Sequence, residues 1–271
     1  MKNLKHSFLI SLLLIMFTYS AFCDVLTFIS SNTYINWTKG MIVSEFSGHS
    51  EFLIGEDFHR KILDTKYLVK KKIISELLFL IKSIPFDENR KVEDLFLLFP
   101  EKRKALVSLL EANEVKDFRY FGGKVLARYT VGIYGQNGIF NILRLPSIPR
   151  DYREFINQAE PKEYTGLLIS TKNQKFNISL SVKILSKSGK LVYSYADYRG
   201  KSNYIHFFRS LKDAIDSGIF GNNIIYTTPL KIEGENLTDI VLDDSVVEKI
   251  LTTSENHNIF FDGKVGIILG N

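Results

Sequence analysis

Residues 57–84 read DFHRKILDTKYLVKKKIISELLFLIKSI, and this stretch decides the fold. Its apolar residues recur at three- and four-residue steps, the period of a helix with one buried stripe. Asp57 can cap the first turn, and Pro85 ends the helix. The basic run Lys70–Lys72 is predicted to be the solvated face, with a membrane-surface contact as the alternative. The stripe comprises Phe58, Ile62, Val69, Ile73, Leu77, Leu80, Ile81 and Ile84.

The segment before this helix is predicted to be extended. Within residues 24–54, aromatic and aliphatic residues alternate between Tyr34 and Val43, which is typical of a half-buried strand. Trp37, the sole tryptophan, lies in that stretch. We interpret it as a core or edge anchor rather than a ligand platform.

The segment after the helix changes period. Residues 92–113 are predicted to be helical with an interruption at Pro100, whereas Lys124–Ile133 alternates as a strand does. Turns are predicted on both sides of this strand, at Gly122-Gly123 and at Gln136-Asn137-Gly138. The spacing Gly132-x-x-Gly135-x-x-Gly138 lacks the start of a phosphate-binding loop, so a hairpin turn is predicted there.

The rest of the chain is predicted to mix short strands and helices. Without regular alternation of strand and helix, this pattern favours α+β over a parallel α/β sheet. The predicted strands are Tyr164–Thr171, Ile178–Ile184, Leu191–Tyr195, Leu230–Glu233, Thr238–Leu242 and Val265–Leu269, with a turn at Ser188-Gly189. The predicted helices are Asp151–Ala159, Tyr204–Ile215 and Asp243–Thr252.

The amino-terminal residues 1–23 have the three-part layout of a secretory signal peptide. Lys2 and Lys5 precede the apolar run FLISLLLIMF at residues 8–17, and Ala21 and Cys23 are small residues at its end. The run is short for a membrane span, which takes about 20 residues. Ordinary cleavage after Cys23 is predicted; lipidation of Cys23 and an uncleaved anchor are the alternatives, and Phe22 fits lipidation poorly.

Removal of residues 1–23 leaves 248 residues with a net charge of +3 and no cysteine. This is ample for a core without disulfides. We predict an α+β fold of two small mixed domains, residues 24–160 and 161–271, the first with the long helix packed on a sheet. The basic residues form no stripe of the kind that binds nucleic acid, and no further transmembrane helix is predicted.

No catalytic or metal-binding motif stands out in the mature chain. Its histidines lack any paired metal spacing, and His49 with His59 is the nearest approach to a pair. Asp239, Asp243 and Asp244 form a loose acidic group, in which Asp243 is more simply a helix cap. The sequence therefore predicts no catalytic, cofactor-binding or metal-binding residue and no cofactor. The four histidines are His49, His59, His206 and His257.

Four segments in order resemble the LPP20 family of bacterial envelope proteins, including its FlgT-like and FlgP-like flagellar-associated branch. Together they span most of the mature chain. The first two are Ile35–Gly40 followed by the helix from Asp57, and Gly123–Gly135, a strand that ends in a Tyr-Gly turn. The third is Tyr164–Ile169 with Ile184–Tyr193, and the fourth is Pro229–Ile232 with Asp239–Asp243.

This resemblance implies an exported, non-enzymatic protein of a double-membraned cell, associated with the envelope or the flagellar basal body. Its expected partners are other envelope or flagellar proteins, and its expected location is the periplasm. If Cys23 is lipidated, the location becomes the outer membrane. The alternative is a ligand-binding or adhesin-like surface lipoprotein, and a third hypothesis is a hydrolase whose site is assembled from dispersed residues.

Overall fold

The computed structural model describes residues 24–49, 58–121, 124–146, 162–199, 203–251 and 253–270. We call residues 24–146 the N-terminal half and residues 162–270 the C-terminal half. The strands of the N-terminal half are β1 (Leu26–Phe28), β2 (Thr33–Asn36), β3 (Met41–His49), β4 (Lys116–Phe121) and β5 (Lys124–Gly132). Its helices are α1 (Phe58–Ser83), α2 (Val92–Leu98), α3 (Pro100–Ala112) and α4 (Ile139–Leu143).

The C-terminal half consists of short strands and short helices. Its strands are β6 (Gly166–Ser170), β7 (Ile184–Ser186), β8 (Leu191–Tyr193), β9 (His206–Phe208), β10 (Ile224–Thr227), β11 (Lys231–Glu233), β12 (Asp239–Leu242) and β13 (Val265–Ile268). Its helices are α5 (Leu211–Asp216), α6 (Asp244–Leu251) and α7 (Asn258–Phe261), with a 3₁₀ turn at Glu255–His257.

The strands form three sheets. The first has the order β1-β2-β3-β5-β4 and is antiparallel throughout. The second, β10-β6-β13-β9, is entirely parallel, whereas the third, β11-β12-β7-β8, is mixed. The chain is therefore a mixed α+β protein, as the sequence predicts, although its C-terminal half contains a parallel sheet.

The long helix follows the predicted periodicity. Val69, Ile73, Leu77 and Ile81 are buried at four-residue steps and belong to the main hydrophobic core. The helix ends at Ser83, two residues before Pro85. Lys71 and Lys72 are exposed, as predicted for the solvated face. The predicted cap at Asp57 lies outside the described residues.

The predicted interruption at Pro100 separates two helices. Pro100 is the first residue of α3, where a missing N–H costs nothing, and Phe99 lies between α2 and α3. The Asp94 carboxylate accepts the backbone N–H of Lys91 at 2.7 Å, which caps the start of α2.

One hydrophobic core extends through both halves. The backbone N–H groups of Leu180 and Ser181 donate to the carbonyl oxygens of Pro85 and Phe86, at 3.0 and 2.7 Å. The Asn236 side chain donates to the Asp87 carbonyl at 2.8 Å. These bonds join the C-terminal half to the turn between α1 and α2. The proposed boundary near residue 160 and the predicted helix Asp151–Ala159 lie outside the described residues.

A group of aromatic rings lies in this shared core. The Tyr204 ring lies 5.5 Å from that of Tyr134 and 5.9 Å from that of Phe140, centroid to centroid. The Tyr204 hydroxyl accepts the backbone N–H of Val182 at 2.7 Å. Burial raises the pKa of Tyr204 well above its ordinary value, so the phenol is neutral and fixes the segment that precedes β7.

The predicted strand Ile178–Ile184 is wrong for all but its last residue. Apolar and hydroxyl residues do alternate there, and residues 179–182 are all buried. The backbone N–H groups of residues 180–182, however, donate to Pro85, Phe86 and the Tyr204 hydroxyl rather than to a neighbouring strand. The alternation therefore reflects burial between the two halves. The turn at Ser188-Gly189 is confirmed and joins β7 to β8, with Gly189 at φ +81°.

The predicted helix Tyr204–Ile215 is also wrong in its first part. Tyr204, Ile205, Phe207 and Phe208 are all buried, and His206–Phe208 pairs with β13 as strand β9. A continuous apolar run suits a parallel strand that is covered on both faces. Ser210 then caps the shorter helix α5, its hydroxyl accepting the Asp213 N–H at 3.1 Å.

The hairpin predicted around Gly138 is a strand-to-helix turn instead. After β5, the Phe140 N–H donates to the Ile133 carbonyl at 2.8 Å, and helix α4 begins at Ile139. A Cβ atom on Gly138 would lie 2.4 Å from the Tyr134 carbonyl oxygen, so only glycine permits this close approach. Ile139, Phe140 and Leu143 are buried with the spacing of one helical face, which explains the helix.

Candidate ligand-binding groove

A groove of about 870 Å³ lies between the two halves, at one edge of the parallel sheet. Strand β6 continues into Thr171 and Lys172, β13 into Leu269 and Gly270, and β9 into Arg209, and all five residues line the groove. Because these strands are parallel, their carboxyl ends meet at the same edge. In open parallel sheets this edge is where ligands bind.

The opposite wall comes from the N-terminal half. Five successive residues, Val25–Ile29, line the groove, together with Ile35, Trp37 and residues 83–85. The first five form strand β1 and one residue on each side of it. The groove is therefore a junction site, built from both halves of the chain.

Trp37 fixes the position of β1. It lies in the turn after β2, is only 2% exposed, and donates from Nε1 to the Thr27 hydroxyl at 3.0 Å. Its ring packs against Phe207 on β9, with centroids 5.9 Å apart. Trp37 is thus a buried core anchor, which is one of the two structural roles predicted for it.

Thr38 links the same two elements through its hydroxyl. The hydroxyl accepts the Val25 N–H at 2.9 Å and donates to the Phe207 carbonyl at 3.0 Å. Together with the Trp37–Phe207 contact, this bridge ties β1 to β9. The wall formed by β1 and the wall formed by the parallel sheet are therefore held at a fixed separation where β1 approaches β9.

The third wall is residues 171–178, which have no regular secondary structure. Hydrogen bonds nevertheless hold it in place. The Gln174 side chain donates to the Pro229 carbonyl at 2.8 Å, and the Asn177 side chain donates to the Asn236 carbonyl at 2.8 Å. The backbone segment that carries Lys172 and Lys175 is therefore held in place.

The groove has a positive charge. Its lining includes Lys172, Lys175 and Arg209, all of them exposed, and none of its described lining residues is acidic. No carboxylate of the described residues lies within ion-pair distance of these three cations. Apolar surface lies beside them, since Phe28 is 66% exposed. The arrangement suits a ligand with negative charge and an apolar portion.

The sequence analysis missed this site. Lys172, Lys175 and Arg209 belong to no motif and lie up to 37 positions apart in the chain. The available signal was a basic residue within two positions of the end of each of two buried strands, β6 and β9. It has meaning only once those strands are known to be parallel neighbours of β13.

Of the four histidines, the structure describes the side chains of His206 and His257. The His49 and His59 side chains lie outside the described residues. His206 stacks near Phe208, and burial lowers its pKa to about 4, partly offset by a hydrogen bond with the Gly263 backbone. Burial also lowers the pKa of His257, whose ring contacts the Leu251 carbonyl. Among the described residues, no three metal-ligating side chains come together.

The three acidic residues Asp239, Asp243 and Asp244 have different structural roles. Asp243 caps α6, its Oδ1 accepting the Ser245 N–H at 3.0 Å, as predicted. These hydrogen bonds from Ser245 lower the pKa of Asp243. Asp244 begins α6, whereas Asp239 is buried on β12, 3.9 Å from the Lys183 ammonium.

The comparison with protein families matches the C-terminal half of the chain. The family described as Treponema pallidum Tp0624, second domain, matches residues 166–271. The match starts at the first residue of β6 and includes every strand of the second and third sheets. The C-terminal half is therefore similar to that domain. No curated protein matches the chain.

The helices of the described part are unsuited to crossing a membrane. None of them combines the length and the hydrophobicity that a span requires.

Proposed function

We propose that this chain is an exported, non-catalytic protein of the bacterial cell envelope, acting as a structural or assembly factor in the periplasm or at the flagellar basal body. The signal-like residues 1–23 support export, and the ordered resemblance to the LPP20 family supports the envelope and the flagellum. Its partners are then other envelope or flagellar proteins. It requires no cofactor in this role.

The observation that carries the proposal is the combination of a shared core and an open groove. The core and the hydrogen bonds at Leu180, Ser181 and Asn236 hold the two halves together as one unit. The groove at their junction then presents one fixed surface. A protein of this kind acts by occupying a position and holding a neighbour.

The second candidate is a ligand-binding or adhesin-like surface lipoprotein. The cations Lys172, Lys175 and Arg209, which have no ion-pair partner among the described residues, favour it, because they would bind an anionic ligand equally well on the cell surface. The two functions differ in the location of the protein and in the fate of Cys23.

Deletion of the gene should impair envelope or flagellar-motor assembly and leave metabolism intact. Cryo-tomography of motors, motility assays and cell fractionation measure this. A scaffold acts by occupancy, so the defect should follow protein abundance. Normal motors, normal motility and an intact envelope in a clean deletion would reject the assembly function. One polar substitution that reproduces the whole defect at normal abundance would favour a ligand site or an enzyme.

The mature protein should begin at Asp24 and carry no lipid. Intact mass and amino-terminal sequencing of the protein purified from its native cells measure this. Cys23→Ser should leave export unchanged, because Ser is as small as Cys at the cleavage position. A mass that includes acyl chains on Cys23 would instead support the surface lipoprotein.

A further inference from the structure

Strand β1 is an edge strand of the first sheet, and its free edge borders the groove. In the described structure it pairs with β2 only, through Leu26↔Asn36, Thr27↔Ile35 and Phe28↔Tyr34. A groove above one face of a strand would be lined by alternate residues, because side chains alternate between faces. Five successive residues from Val25 to Ile29 line this groove. The free edge of β1, rather than one of its faces, therefore borders the groove.

The hydrogen-bonding pattern identifies the free backbone groups. The Trp37 N–H donates to the Val25 carbonyl at 2.9 Å, and the Ile29 N–H donates to the Thr33 carbonyl at 3.0 Å. The backbone N–H and C=O groups of the odd-numbered residues 25, 27 and 29 therefore point towards β2. Backbone groups of successive residues in a strand point in opposite directions, so those of Leu26 and Phe28 point away from β2. Together they offer two donors and two acceptors to a further strand.

The other edge of the same sheet is protected, and the contrast is informative. Strand β4 carries the exposed residues Asp117 and Arg119, and its register shifts between Lys116 and Arg119. Charged residues and bulges are the usual means of preventing another strand from pairing with an edge. The β1 sequence Leu-Thr-Phe has no charge, no proline and no register shift, and Phe28 is exposed.

The charge of the groove selects the strand that would fit. An added strand along β1 would lie against Lys172, Lys175 and Arg209, and the described lining of the groove contains no acidic residue to compensate them. A basic segment would be repelled, whereas carboxylates on the added strand would form ion pairs. Residues 1–23 of this chain contain two lysines and no acid, so they do not have the complementary charge.

We propose that the groove binds an extended acidic segment of a partner protein, which adds as a strand to β1 and places its carboxylates against Lys172, Lys175 and Arg209. Main-chain bonds to Leu26 and Phe28 supply the register, the cations supply the charge specificity, and Phe28 supplies an apolar contact. This inference rests on the proposed role of holding a neighbour, and names the chemistry of that neighbour.

A direct test uses a fluorescein-labelled octapeptide in which Glu alternates with Val and Thr. Fluorescence anisotropy with the purified mature protein should show saturable binding. The double variant K172E/R209E should weaken the binding by about tenfold or more, because it removes two attractions and adds two repulsions. R103E/K104E is the matched control, with two exposed cations of α3 exchanged outside the groove, and should bind as the wild type does.

A second pair of variants tests the edge. Phe28→Pro removes the outward N–H of the strand and should weaken binding several-fold, whereas Phe28→Val keeps the N–H and should retain most of it. Circular dichroism and the melting temperature check that each variant is folded. A peptide that is N-methylated at every residue has the same charge but can donate no main-chain N–H from either edge, and should bind much more weakly.

Three outcomes would overturn the proposal. The first is equal binding of the N-methylated peptide, which would show charge attraction without strand addition. The second is binding of inorganic polyphosphate or of vesicles containing anionic lipid, with no binding of the Glu peptide; the ligand would then be a polyanion or a membrane. The third is binding that K172E/R209E leaves unchanged. If the peptide fails to bind while the gene deletion still impairs motors, the assembly function stands and this ligand assignment falls.

Discussion

Replacing Ile73 with Asp should lower the free energy of unfolding by about 3–5 kcal/mol, since the change buries an unpaired carboxylate and removes apolar contact. Ile73 lies in the middle of α1 and is 0% exposed. Val69 and Leu77, one turn away on either side, are buried in the same core, so the new charge has no nearby route to water. Urea denaturation followed by circular dichroism measures the loss.

Ser75→Asp is the matched control for this variant. Ser75 lies on the same helix two residues further on, and its side chain is exposed. The same carboxylate should there change the free energy of unfolding by about 0.5 kcal/mol or less. If Ile73→Asp proved as mild as Ser75→Asp, the stripe of α1 would face solvent or a partner instead of the core.

The long helix illustrates what local sequence can predict. A stripe repeated over many turns requires burial on one side whatever lies opposite, so α1 was predictable from residues 57–84 alone. The same holds for β5, where alternate residues of Lys124–Gly132 are buried and exposed. Helix α1 forms its own backbone hydrogen bonds, and β5 pairs with β4, which precedes it directly in the chain.

The wrong predictions share a different cause. Residues 178–183 alternate as a strand does, but the N–H groups of residues 180–182 donate to Pro85, Phe86 and the Tyr204 hydroxyl, far away in the sequence. The apolar run at Tyr204–Phe208 suits a buried strand and a buried helix equally, and the presence of β13 beside it decides between them. Local periodicity contains no information about such distant partners.

The groove could not be predicted for the same reason. Its charge comes from Lys172, Lys175 and Arg209, and its open edge comes from Leu26 and Phe28. These residues meet because β6, β9 and β13 are parallel and because Trp37 holds β1 against Phe207. Neither fact has a local sequence pattern.

Asp239 is a buried acidic side chain whose surroundings disfavour its charged form. It is 3% exposed, and its Oδ1 has no hydrogen-bond partner among the described residues. The Lys183 ammonium lies 3.9 Å from its Oδ2 but only 2.6 Å from Glu88 Oε2, so it serves mainly Glu88. Burial raises the pKa of Asp239 to about 7; attraction to Lys183 opposes this and the nearby Glu88 adds to it.

This raised pKa should make the protein lose stability as the pH rises from about 4 to about 7. Over that range the unfolded chain releases the proton at the ordinary pKa of 3.8, while the folded protein retains it. The unfolded state is therefore favoured by up to about 1.4 kcal/mol for each pH unit. Other carboxylates contribute in the opposite direction, so the effect must be measured as a difference between variant and wild type.

Asp239→Asn should remove this penalty, because the amide has nearly the same shape and no charge. At pH 8 the variant should exceed the wild type in free energy of unfolding by about 2–4 kcal/mol, and the difference should disappear near pH 4. Urea denaturation at half-unit pH steps measures this difference.

Asp243→Asn is the control with the opposite sign. Hydrogen bonds from Ser245 lower the pKa of Asp243, so that variant should be less stable than the wild type above pH 4. A difference between Asp239→Asn and the wild type that stays constant from pH 4 to pH 8 would mean that Asp239 is ionised throughout. Lys183 would then bridge Glu88 and Asp239 equally, as a fixed tie between the turn that follows α1 and strand β12.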